Sequence, residues 1–233
     1  MDCTASENRL AGRRPRIKDD RLAAALAGEQ ILVFDGAMGT QLQERGLAAG
    51  ELPELLCLTN PGEIRAIHAA YVAAGADIVT TNTFGANSAK LGDAATVEQI
   101  FSAAIACAKA SGASYVAADI GPTGQLLAPM GTCTFDEAYE LFAEQVRAAD
   151  AAGADLFIIE TMADLAEAKA AVLAAKDNSD LPIFCTMTFA EDGRTASAPR
   201  PRSRPSRSRR SASMRSASTA AWGLRPSFRS SSA

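Results

Sequence analysis

Between residues 31 and 189 the chain alternates two hydrophobic rhythms. Alanine-rich stretches place apolar side chains three and four residues apart: Ile64, Ile67, Tyr71 and Val72 on one face, Ile100, Ala104 and Cys107 on another. Leu141, Phe142, Gln145 and Ala149 form a looser face of the same kind. This spacing predicts amphipathic helices. Three segments then repeat one junction: YVAAGADIVTTNTF (71–84), AKASGASYVAADIGP (108–122) and ADAAGADLFIIETM (149–162). In each, the helical pattern ends on a glycine at a C-cap position and runs directly into an apolar, strand-like stretch. ILVFDG (31–36) and LPIFCTMTF (181–189) complete a predicted set of five strands separated by helices. Strands apolar on both faces suit a parallel sheet covered by helices, so the series reads as a (β/α)8 barrel or an open doubly wound sheet. Helix starts agree: Asn60-Pro61 puts proline at a first helical position, and Thr134 with Glu137 forms a capping-box pattern.

Polar residues gather where these strands end: Asp35, then Asn82 and Thr83, then Asp119, then Glu160 and Thr161, then Thr186 and Thr188. In a parallel barrel the C-terminal strand ends form one rim, which is where ligands bind. Asp35, closing a run that reads as a buried strand, is then a rim carboxylate whose burial is offset by a cationic ligand group or by backbone N–H donors. The plainer alternatives are that Asp35 caps its own turn through Gly36, and that Asp119, ahead of Gly121-Pro122, forms a turn. His68, the only histidine, falls beside the apolar face of the 60–75 helix and reads as structural, remote from any strand end. DGAMGT lacks dinucleotide-fingerprint spacing and no GxxxxGK occurs, which weakens the nucleotide-binding doubly wound class.

Charge divides the chain. Residues 1–194 hold all 27 acidic side chains and a net charge of −13, whereas residues 195–233 carry nine Arg and no acid. The expected organisation is an N-terminal arm (1–19), a folded body (20–194) and a disordered Arg/Ser-rich tail (195–233). No apolar run reaches membrane-spanning length and the N-terminus lacks a signal-peptide core, so a cytoplasmic protein without membrane partners is expected. The five cysteines, Cys3, Cys57, Cys107, Cys133 and Cys185, show neither disulfide-framework nor zinc-knuckle spacing.

ILVFDGAMGTQLQERGL, LTNPGEIRAIHAAYVAAGADIVTTNTFGAN, AADIGPTGQLLAPMGT and FIIETMADLAEAKAA together resemble the homocysteine-binding domain of the cobalamin-dependent methionine synthase family, and more distantly other homocysteine S-methyltransferases. The resemblance spans about residues 20–194. It implies a partial (β/α)8 TIM barrel, about the first five βα units, and a methyltransferase that passes a methyl group to the thiol of homocysteine to give methionine. It further implies that Asp35 and Glu160 orient the amino-acid part of homocysteine and that Gly36, Ala37, Met38, Asn82, Thr83 and Phe84 line the pocket; the strand-end reading adds Asp119 and Thr161 to the same substrate site. Zinc held by three cysteines is the family's thiol activator; cobalamin and methyltetrahydrofolate, with the domains that carry them, are expected only of a full-length enzyme.

The zinc cysteines of the family lie after the sixth strand and near the eighth, and no cysteine follows Cys185. No metal ligand is therefore assigned, and the chain alone is expected to be inactive. A one-base frameshift between about Arg194 and Pro205 is the expected origin of the tail. With suitable synonymous codons, Met214 to Leu224 read one base earlier spell aspartate, alanine, leucine, glycine, isoleucine, asparagine, cysteine, glycine, leucine, glycine and proline. Two alternatives rank lower: a noncatalytic amino-acid-binding remnant, and nucleic-acid binding through the basic tail, which has few aromatic side chains for stacking. A five-unit fragment is also expected to expose open parallel edges and to be poorly soluble unless it self-associates.

Overall fold

The computed structural model describes residues 15–48, 50–189, 195 and 220–223. Cys3, the arm before residue 15 and nearly all of the Arg/Ser-rich tail lie outside the described residues. Helices α1 (Asp20–Ala27), α2 (Met38–Glu44), α3 (Leu56–Thr59) and α4 (Pro61–Ala73) precede strand β1 (Ile78–Thr80). Helices α5 (Ser88–Leu91) and α6 (Val97–Lys109) lead to β2 (Tyr115–Ile120), α7 (Phe135–Ala152) to β3 (Leu156–Met162), and α8 (Leu165–Asn178) to β4 (Ile183–Met187). The sheet runs β1-β2-β3-β4-β5, with β1 to β4 mutually parallel. Its last member, β5 (Ala220–Gly223), comes from the tail and pairs antiparallel with β4.

The expected first strand is reduced to a single parallel bridge, Phe34 to Ile78. Asp77 N–H and Ile78 N–H both donate to Val33 O, Asp35 N–H donates to Ile78 O, and the chain then turns at Gly36, too soon for a ladder to extend. Nor is this run buried on both faces. Leu32 and Phe34 point to the barrel interior, while Ile31 and Val33 are 86% and 51% exposed. An edge segment paired on one side alternates faces as any half-buried strand does.

Period-two geometry sorts the other strands into two cores. Val79, Val116, Ala118, Ile120, Phe157 and Ile159 face outward and pack against α6, α7 and α8 through Phe101, Phe142 and Ala171. Ile78, Tyr115, Ala117, Leu156, Ile158 and Phe184 face inward. Continuing the inward period toward the C-terminal ends reaches Thr80, Asp119, Glu160 and Thr186, so a polar layer sits directly above the apolar one.

The Gly-Ala-Asp repeat has a mechanical role. Gly75 (φ 105°) and Gly153 (φ 82°) take the left-handed conformation that ends a helix, at little cost for a residue without Cβ. The aspartate two residues later clips the preceding strand: Asp77 Oδ2 accepts from Val33 N–H at 3.0 Å, and Asp155 Oδ2 from Val116 N–H at 2.9 Å. These carboxylates also seat the N-terminal segment. Arg21 binds Asp77 at 2.5 Å, Lys18 binds Asp155 at 3.0 Å, and Arg16 pairs with Asp150. Asp19 caps α1 through Leu22 N–H and accepts from the Tyr115 hydroxyl at 2.8 Å. Leu22, 1% exposed, thereby plugs the barrel floor.

The capping box of α7 is present: Thr134 N–H donates to Glu137 Oε2 at 2.7 Å and Glu137 N–H to Thr134 Oγ1 at 3.2 Å. At α4, Pro61 occupies the first position, but the Asn60 amide is turned to the Glu63 carboxylate and makes no cap bond. Among the described residues no helix is long and apolar enough to cross a membrane.

Candidate functional site at the C-terminal rim

Asp35 is the most constrained of the rim acids. Thr80 N–H donates to both carboxylate oxygens at 3.0 Å, and Thr80 Oγ1–H donates to Oδ1 at 2.9 Å. The Asp35 side chain is 1% exposed. Burial pushes its carboxyl up to about 6, the Thr80 hydrogen bonds pull the other way, and the negative charge of Glu160 raises it further. Gly36 beside it is closely covered: a Cβ there would lie 2.9 Å from the Tyr71 ring, whose hydroxyl donates to Ala37 O at 3.1 Å. Ala37 caps α2 through backbone only, and Met38 packs sideways onto the cluster of Leu42, Cys57, Ile64 and Ile67.

Asp119 and Glu160 end β2 and β3 on the same interior face. Asp119 is 7% exposed, and its Oδ1 has no hydrogen-bond partner among the described residues. Burial first, then the charges of Glu160, Asp35 and Glu54, hold its carboxyl well above the usual range. Burial also raises Glu160. The rim is thus a compact acidic patch in which burial raises all three carboxyls, Asp35 to about 6.

A bulge aims Glu160. Across it, Ile159 pairs with Cys185 but Met162 with Met187, so β3 contains one residue more than β4. The extra residue flips the phase, sending Met162 to the outer core while Glu160 stays inside. Thr161 absorbs the bulge at φ 59°, the only non-glycine residue at positive φ among the described residues, and its N–H is held by Thr186 Oγ1 at 3.1 Å. A β-branched residue is strained in that region. Thr161→Gly should therefore raise stability by about 1 kcal/mol, read as an upward shift of the urea midpoint.

The polar run after β1 is spent inside the protein. Asn82 Nδ2 donates to Pro53 O at 2.7 Å. Thr83 Oγ1 donates to Asp119 O at 2.7 Å and lies 2.6 Å from Thr81 Oγ1, which accepts from Asp119 N–H. These contacts lock the end of β1 to the end of β2. Phe84 is 38% exposed, with its backbone and ring pressed on Gly121.

Two members of this neighbourhood escape a linear reading. Glu54, 4% exposed, accepts from Gly85 N–H at 2.6 Å and so fixes the loop after β1; nothing in its local pattern marks it. His68 is not remote from the strand ends. Its Nδ1 lies 4.0 Å from Asp35 Oδ2, because a short first segment lets α4 approach the rim closely. A broad groove of about 700 Å³ along α7, lined by Ser88, Asp136, Glu140 and Glu144 among others, contains none of the rim acids.

The sequence matches the model of the Homocysteine S-methyltransferase family over residues 32–202. The chain belongs to this family. It is 32% identical over 197 residues to the methionine synthase of Mycobacterium leprae (strain TN), covering 75% of this chain and 16% of that protein. To the methionine synthase of Mycobacterium tuberculosis (strain ATCC 25618 / H37Rv) it is 33% identical over 187 residues, covering 71% and 16%. The chain therefore spans about a sixth of the length of these curated relatives. Among solved structures, the homocysteine methyltransferase MmuM from Escherichia coli in its oxidized form superposes with a TM-score of 0.62 at 24% identity, covering 73% of this chain and 66% of that one. Its metallated form gives 0.58 at 24% identity, over 68% and 64%. This likeness supports the partial TIM-barrel fold. Proteins of the family named here are methyltransferases.

The chain's own thiols are the candidate ligands for the zinc that the family resemblance implies. Cys57 Sγ lies 3.7 Å from Asn82 O, Cys107 Sγ 3.7 Å from Pro61 O, and Cys133 Sγ 3.5 Å from Thr134 O, while Cys185 sits within β4. Burial pushes the Cys57 thiol up to about 12, opposite to what a thiolate ligand needs. No group of three His, Cys, Asp or Glu side chains suited to a metal occurs among the described residues. The residues described do not fit the metal.

Proposed function

We propose that this chain is the amino-acid-gripping part of a homocysteine methyltransferase: it binds homocysteine at the rim and orients it through the α-ammonium group. The observation that carries this reading is the convergence of Asp35, Asp119 and Glu160 above the apolar interior, with Asp35 buried, ionised at neutral pH and held by Thr80. An ammonium group offsets the mutual repulsion of such carboxylates. Gly36, Ala37 and Met38 form the floor beside Asp35, and Phe84 with Thr161 the flanks. Without a fitting metal cage the chemistry of these residues stops at binding and orientation. Methyl transfer then belongs to a longer protein in which zinc, cobalamin and methyltetrahydrofolate meet the same domain, in a cytoplasmic setting.

Calorimetry of the full chain with L-homocysteine, run beside a methyl-transfer assay with added zinc, tests both halves. Heat of binding that is lost with N-acetyl-homocysteine, and no methionine formed, is the expected result. Absence of binding refutes the site, and zinc-dependent turnover refutes the limit to binding.

A further inference from the structure

We infer that His68 is the positioning residue for Asp35: its Nδ1–H faces Oδ2 and holds that oxygen in the direction from which a ligand ammonium approaches. The His68 side chain is 0% exposed, and neither Nδ1 nor Nε2 has a hydrogen-bond partner among the described residues. Burying an imidazole in this state is costly, and a leucine or phenylalanine would fill the same volume without that cost. The one polar group placed to answer it is Asp35. Nδ1 lies 4.0 Å from Oδ2, and a ring tilt that closes about 1 Å makes a hydrogen bond.

The acceptor side matches. Oδ1 of Asp35 receives both the backbone and the hydroxyl of Thr80, whereas Oδ2 receives only a share of the same N–H. Spare acceptor capacity therefore lies on the oxygen that faces the imidazole. The other groups around Asp35 cannot serve this oxygen. From α4 itself, the Tyr71 hydroxyl is committed to Ala37 O. From β3, Glu160 is a like charge that disfavours ionised Asp35, and from β2, Asp119 is an acid raised in turn by the charge of Asp35. Burial lowers His68 to about 4, so near pH 7 the ring is neutral and has one N–H to place. A neighbouring carboxylate selects the tautomer in which that proton is on Nδ1.

This inference rests on the proposed ammonium site for its purpose, but its test needs no ligand. His68 is the sole histidine, so untagged full-length chain labelled with 15N-histidine gives the spectrum of one imidazole. At pH 7 the expected pattern is a neutral ring protonated on Nδ1, whose shifts follow a titration centred near pH 6 as Asp35 gains its proton. Asp35→Asn should abolish that titration, and His68→Leu should move the Asp35 carboxyl midpoint upward. A ring protonated on Nε2 in the unaltered chain, or shifts flat through pH 6, overturns the assignment without recourse to any variant. If homocysteine fails to bind while the Nδ1–H pattern and its titration persist, the proposed function falls and the His68–Asp35 link stands.

Discussion

Asp35→Asn should weaken homocysteine binding about 30-fold or more while making the folded chain more stable at alkaline pH. The first effect follows from removing one partner of a desolvated charge pair, which costs at least about 2 kcal/mol. The second follows from linkage. Folding raises the Asp35 carboxyl from 3.8 to about 6, so the folded state holds this proton more tightly than the unfolded state does. Stability contributed by the protonated form is complete below about pH 4 and is lost as pH rises through 6. Asparagine does not ionise. The stability difference between variant and parent should therefore move in the variant's favour by up to about 3 kcal/mol between pH 4 and pH 8. His68 works in the opposite sense. Its midpoint is lowered to about 4, so its contribution is complete above about pH 6.5 and lost on acidification, in parent and variant alike. Thermal denaturation across that pH range, paired with calorimetry, separates the two effects. Parent affinity should fall as pH drops below 6, and the variant, which keeps Glu160 and Asp119 but lacks the Asp35 titration, should show a weaker dependence there. A variant that binds as tightly as the parent removes Asp35 from the site.

Gly121→Ala should destabilise the chain by about 3 kcal/mol and disorder the rim on the β2 side. A Cβ at this position would lie 2.5 Å from Phe84 O and 2.6 Å from two Phe84 ring carbons. Phe84 O also accepts the Gly121 N–H at 3.1 Å, so neither backbone can retreat without breaking the contact that joins them. The ring can swing aside; the carbonyl cannot. Urea denaturation measures the loss, and a midpoint within error of the parent would show that the two loops are not locked together. The predicted consequence for function is that Asp119, two residues earlier, loses its fixed place beside Glu160.

Much of this was legible in the linear chain, and what was not has identifiable causes. Thr134 with Glu137 and the glycines before Asp77 and Asp155 act over a few residues, so local chemistry specified them. Asp35, Asp119 and Glu160 could be placed at one rim because parallel strands connected by helices bring all their C-terminal ends together. Polarity, however, does not report direction. The resemblance puts Asn82 and Thr83 in the pocket, and their side-chain hydrogen bonds run to Pro53 O and Asp119 O. The bulge at Thr161 changes which face a residue meets, and no alternation rule foresees an inserted residue. His68 and Glu54 were hidden for another reason: each reaches its neighbour across packed elements, His68 from α4 and Glu54 from the turn before α3. The edge run at Ile31 and Val33 has the composition of an interior strand, and exposure there is decided by what pairs with it.

The floor of the barrel bears on the order of assembly. Lys18 meets Asp155, 137 residues further along, and Arg16 N–H reaches Asp180 O. On a ribosome, Leu22 and its basic neighbours emerge long before their docking points exist. They must wait as a loose leader while the β1–β2–β3 ladder forms, and closing so long a loop is entropically slow. Insertion of the plug is then a late step that ratifies strand order already achieved, and a chain arrested before Asp155 would present its unplugged apolar lumen to chaperones.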